Sequence, residues 1–64
     1  MDFDFAVNLS EVRGRKLITM EIGVKPNGDP IYRVAVFNGK KWSSARYNDL
    51  RDAYTTYKFL TRVI

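Results

Sequence analysis

Residues 31–47 read Ile-Tyr-Arg-Val-Ala-Val-Phe-Asn-Gly-Lys-Lys-Trp-Ser-Ser-Ala-Arg-Tyr. Ile31 to Phe37 is rich in β-branched and aromatic residues, Asn38-Gly39 interrupts it, and Lys40 to Tyr47 resumes an extended pattern. Asn-Gly between two such runs signals a hairpin, because both central residues of a type I′ turn need positive φ. A two-residue turn there sets Phe37 opposite Lys40, Ala35 opposite Trp42 and Arg33 opposite Ser44, and opposed residues share a face. Arg33, Ala35, Phe37, Lys40, Trp42, Ser44 and Arg46 then lie on one side, and Tyr32, Val34, Val36, Ala45 and Tyr47 on the other. A three-residue loop with a bulge at Gly39 would instead flip the fourth strand and carry Trp42 into the core.

Working towards the N-terminus, Lys25-Pro26-Asn27-Gly28-Asp29-Pro30 is dense in turn residues. A five-residue loop from Pro26 to Pro30 sets Lys25 opposite Ile31. Leu17 to Val24 alternates Ile18, Met20, Ile22 and Val24 with Thr19, Glu21 and Gly23, the period of a half-buried strand. Phe3, Phe5, Val7 and Leu9 alternate with Asp2, Asp4, Asn8 and Ser10 and predict a first strand, joined to the second through residues 10–16 around Gly14. These four apolar residues are expected to turn towards the same apolar face.

Beyond Tyr47, Asn48 is an N-cap candidate, Asp49 and Asp52 bring negative charge to the first helical turn, and Lys58 and Arg62 bring positive charge near the end. Leu50, Ala53, Tyr54, Tyr57, Leu60 or Thr61, and Ile64 recur at three-and-four spacing and form an apolar stripe. The pattern predicts an α+β fold: a small antiparallel sheet, a β-β-β-β meander, with one C-terminal α-helix packed on one face. Residues 1–64 are expected to form a single domain.

The chain has 64 residues, eleven Lys plus Arg, seven Asp plus Glu, no His and no Cys. Thiolate and imidazole chemistry and disulfides are thereby excluded, and Ser43 and Ser44 have no histidine to activate them. We therefore expect a binding protein rather than an enzyme, with no cofactor. There is no apolar run of about 18 residues and no secretory leader, so the expectation is cytoplasmic, away from membranes. Asp2 and Asp4 are too few to make a metal site, so none is expected.

The charge is uneven. Residues 1–12 carry −3 and the remainder +7. On the face opposite the helix, Phe37 and Trp42 are surrounded by Arg33, Lys40 and Arg46, with Lys41 adjacent and Arg13 and Arg15 at a basic hairpin tip. Aromatic rings among cations suit unstacked bases and their phosphates, so these eight residues are the candidate nucleic-acid-binding set, with single strands preferred. No helix-turn-helix, zinc-finger, ribonucleoprotein or oligonucleotide-barrel signature is present. In scale and layout the chain resembles many small phage or prophage products. That resemblance implies an alternative: a protein that binds and inhibits or adapts a host or defence protein. Its interface would use a strand edge or Phe59, Arg62 and Ile64 on the helix. A homodimer burying its open sheet faces is a further expectation.

Overall fold

A computed structural model describes residues 4–64; Asp2 and Phe3, and so part of the expected first strand and of the Asp2–Asp4 pair, lie outside the described residues. The elements are β1 (Phe5–Arg13), β2 (Lys16–Val24), β3 (Pro30–Phe37), β4 (Trp42–Tyr47) and α1 (Leu50–Val63). The strands pair antiparallel in the order β1-β2-β3-β4, and α1 packs against β2, β3 and β4. The α+β meander with its C-terminal helix is therefore the fold of this chain.

The turns set the register. Gly14, at φ +63°, and Arg15 join β1 to β2 with Arg13 opposite Lys16. A positive φ confined to the first central residue is the mark of a type II′ turn and requires glycine. The β2–β3 loop is residues 25–29, closed by Lys25 N–H donating to Asp29 O at 2.8 Å, so Val24 opposes Pro30. The β3–β4 connection differs from the expected turn. Asn38 does not take positive φ; instead its Oδ1 accepts from the amides of Lys40 and Lys41, both at 2.9 Å, and Gly39 alone is left-handed at φ +98°. Phe37 consequently opposes Trp42, and Lys40 and Lys41 lie in the loop rather than on a strand. In both loops the pairing moves by two residues from the expected register. The side-chain period of a strand is two, so every residue of β2, β3 and β4 keeps the face assigned to it.

β1 is different. Phe5 pairs with Gly23 and Val7 with Glu21, but Leu9 pairs with Met20, because a bulge sits between Val7 and Leu9. One inserted residue exchanges the two faces. Leu9 turns towards the helix as expected, whereas Phe5 and Val7 turn to the opposite side, which corrects the expectation of one continuous apolar edge.

The core lies between sheet and helix. Ile18, Met20, Val34, Ala53 and Tyr57 are buried, and Leu9, Tyr32, Val36, Tyr47, Leu60 and Ile64 pack around them. Complete burial of side chains such as Ile18 and Met20 contributes about 1.5–3 kcal/mol each. Ala53, with no exposed surface, lets the helix backbone approach the sheet closely. Because α1 spans β2 to β4, the stripe residues Leu50 and Tyr54 stay partly exposed, beside a cleft that also includes Asn8, Leu9 and Met20. The N-cap is Asp49 rather than Asn48: its carboxylate accepts from Arg51 N–H at 2.8 Å. Asn48 is engaged elsewhere, its Oδ1 accepting from Lys25 Nζ at 2.5 Å.

Burial, and after it the Glu11 carboxylate, pushes the Tyr57 phenol above its ordinary value of 10.0, with Arg13 opposing. The fold favours the neutral phenol, so this contribution to stability is complete below about pH 10 and is lost as pH rises through the raised value. Thermal denaturation followed by circular dichroism from pH 8 to 11 should show a falling Tm above pH 10. Tyr57→Phe should flatten that alkaline limb.

Candidate nucleic-acid interface

The pairing of the four strands arranges the helix-free face in rows. Val12, Leu17, Phe37 and Trp42 form an apolar row next to the hairpin tips; Ser10, Thr19, Ala35 and Ser44 form a row of small side chains; and Val7, Glu21, Arg33 and Arg46 form the third row. Small side chains between taller ones leave a trough across the sheet. At strand spacings of about 4.8 Å, four strands span roughly 14 Å.

One wall of the trough is aromatic. Phe37 and Trp42 have ring centroids 5.2 Å apart at an interplanar angle of 39°, and Trp42 is 55% exposed. A directly opposed aromatic pair stabilises the hairpin. Its exposed Trp42 ring also offers a stacking surface.

The other wall is an ion pair. Arg33 Nε donates to Glu21 Oε2 at 2.9 Å and Arg33 Nη2 donates to the same oxygen, while Thr19 Oγ1 donates to Glu21 Oε1 at 3.2 Å. Glu21 and Thr19 are buried on this helix-free face. The Arg33 guanidinium also lies 4.2 Å from the Phe5 ring centroid, a cation–π contact, and Arg46 is 5.7 Å from the same ring. The β1 bulge brings Phe5 here, over Gly23, where a Cβ would come within 3.0 Å of Asp4 O and 3.1 Å of Phe5 Cδ1. Arg33 is thus a guanidinium held by Glu21 and Phe5, with its charge offset by the carboxylate. Phe5 joins Glu21, Ser44 and the other residues that the strand pattern places on this surface. A glycine near the end of β2 was the available signal for Phe5, since a strand glycine marks a close approach.

The sheet's basic end is built by two hairpin tips. Arg15 and Lys16 from one, and Asn38, Gly39 and Lys40 from the other, surround a concavity of about 370 Å³. Arg15 O lies 3.8 Å from where a Cβ on Gly39 would stand, so the tips adjoin. Arg15, Lys16, Lys40 and Lys41 are exposed. Arg13 is half-buried and donates to Glu11 Oε2 at 2.8 Å, so its charge is partly offset. Lys16, next to the expected Arg15, joins this set because the meander puts both tips at one end of the sheet.

The expected residues therefore fall into two groups. Arg15, Lys40 and Lys41 join Lys16 on the rim, and Phe37, Trp42, Arg33 and Arg46 lie on the strands. Arg13 belongs to neither, because past the bulge it falls in step with Leu9 and Glu11 and turns to the helix side of the sheet, near Tyr57, which corrects its place in the expected set. In the alternative interface, Phe59 is 58% exposed and Arg62 is exposed, but Ile64 packs against the core. Among the described residues no group of three or more acidic, His or Cys side chains could hold a metal ion. Among the same residues no helix is long and apolar enough to cross a membrane. The chain matches no family model, no curated protein and no solved structure.

Proposed function

We propose that this protein is a non-enzymatic binding domain for single-stranded nucleic acid. Exposed Trp42, paired with Phe37 between a cationic rim and a trough of small side chains, is the observation that carries the reading. A strand crossing the rim would meet Arg15, Lys16, Lys40 and Lys41 with its phosphates while a base stacks on Trp42. Stacking contributes about 1–3 kcal/mol per base, and the cations supply the salt-dependent remainder. Arg33 and Glu21 hold the trough's far wall, so Arg33 acts more through shape than as a phosphate ligand. Duplex DNA buries the faces of its bases and cannot stack on a tryptophan in this way, hence the preference for single strands.

The test is anisotropy of a labelled octanucleotide at low ionic strength. Wild-type protein should bind, and Trp42→Ala should weaken binding about 5- to 150-fold, the loss of one stacked base. No binding at low salt, or binding indifferent to Trp42→Ala, would remove the reading.

The second reading, a phage-type protein that binds a host or defence protein, draws on Phe59 and Val63, each 58% exposed one turn apart on α1, and on the outer edges of β1 and β4. It predicts a stoichiometric protein complex that survives nuclease and is broken by Phe59→Glu. The nucleic-acid reading is favoured because aromatic rings and cations converge on one surface.

A further inference from the structure

Between Trp42 and the Arg33–Glu21 pair the trough deepens into a pocket of about 300 Å³, lined by Glu21, Arg33, Ala35, Trp42 and Ser44. This volume is at the lower end of the range for small-molecule sites. Resting on the proposed function, we infer that this pocket receives one nucleobase and selects bases that carry an exocyclic amino group.

The argument is one of hydrogen-bond capacity. A carboxylate only accepts, and its two oxygens offer about four lone-pair positions. Arg33 Nε and Nη2 occupy two positions on Oε2, and Thr19 Oγ1 occupies one on Oε1. One acceptor position remains, on a residue only 7% exposed whose side chain lines the pocket. A base seated against Trp42 must therefore present an N–H there. The Arg33 guanidinium lines the same pocket and is a donor-only group, which calls for a neighbouring acceptor on the base.

Cytosine presents this pair in order: an amino N–H at C4 beside the bare ring nitrogen N3. The other flank of its amino group is a C–H, so nothing repels the carboxylate. In uracil the single ring N–H stands between two carbonyl oxygens. Bringing it to Glu21 also brings a carbonyl oxygen against the carboxylate. A buried acceptor left unpaired or opposed by another acceptor is costly, and discrimination by such groups exceeds that of apolar shape.

The pair of ligands that isolates this difference is dC8 and dU8, which differ at C4 and N3 and lack the thymine methyl group. Quenching of Trp42 emission and anisotropy of labelled oligomers should both show dC8 binding about tenfold tighter than dU8, the worth of one charge-assisted hydrogen bond. Glu21→Gln, whose amide both donates and accepts, should bring the two affinities within about twofold of one another. Should that variant not fold, dC8 with dimethylated amino groups supplies the same comparison on wild-type protein, and it should bind like dU8. Equal affinity for dC8 and dU8, or undiminished binding of the dimethylated oligomer, overturns the selectivity and leaves the proposed function standing. Failure of every octamer to bind at low salt overturns both.

Discussion

Glu21→Ala is expected to destabilise the protein by about 2–4 kcal/mol, enough to leave much of it unfolded at 37 °C. Removing one partner of a buried ion pair costs about 3–5 kcal/mol because the other charge stays behind without compensation. Arg33 retains 26% of its side-chain exposure, and water there relieves part of the cost. A core in a chain this short rarely supplies more than about 3–5 kcal/mol in total, so the remainder is still decisive. The lost charge can be distinguished from lost packing. Adding Arg33→Met to Glu21→Ala removes the orphaned guanidinium while keeping an apolar stem under Phe5, and should recover at least half of the loss. Urea denaturation of the three proteins measures this through the midpoint, with the slope unchanged. Equal instability of the single and double variants would show that Glu21 matters through packing alone.

Replacing Arg15, Lys16, Lys40 and Lys41 together with alanine is expected to have the largest effect on binding. Single-stranded nucleic acid loses about 0.7 in the slope of log affinity against log salt for each phosphate neutralised, so four contacts correspond to a slope near −3. Wild-type affinity should then fall roughly 50-fold between 50 and 200 mM salt, and the quadruple variant should lose most of that dependence together with its low-salt affinity. None of the four side chains is buried and none of these residues has a positive φ, so the variant should fold like the wild type. An unchanged slope would place the phosphates elsewhere.

Much of this surface was legible in the sequence for a specific reason. The registers across both loops differ from the sequence pattern by two residues, and a two-residue slip returns every side chain to its face. Trp42, Phe37, Arg33 and Arg46 therefore share a face in the structure as they do in the sequence pattern. The first strand failed on the same principle: an odd insertion at the bulge exchanged the faces of Phe5 and Val7, and the unbroken alternation of Phe5, Val7 and Leu9 gave no sign of it. The Glu21–Arg33 pair depended on the β2–β3 register, which composition does not reveal. Adjacent Asn48 and Asp49 are both good caps, and only the reach of Lys25 to Asn48 separates their roles. Lys40 belonged to the expected platform by alternation, but Asn38, binding the loop amides through its side chain, placed it on the rim.

The chain has one tryptophan, and it stands at the centre of the proposed site. Titrating unlabelled single-stranded octamer into the protein at low salt, with Trp42 emission as the signal, therefore tests the central claim directly. Saturable quenching that is reversed by 200 mM salt, and much weaker quenching by a duplex of the same length, is the predicted result. Emission that does not change while anisotropy shows the oligomer bound, or an oligomer that does not bind at all, would contradict it.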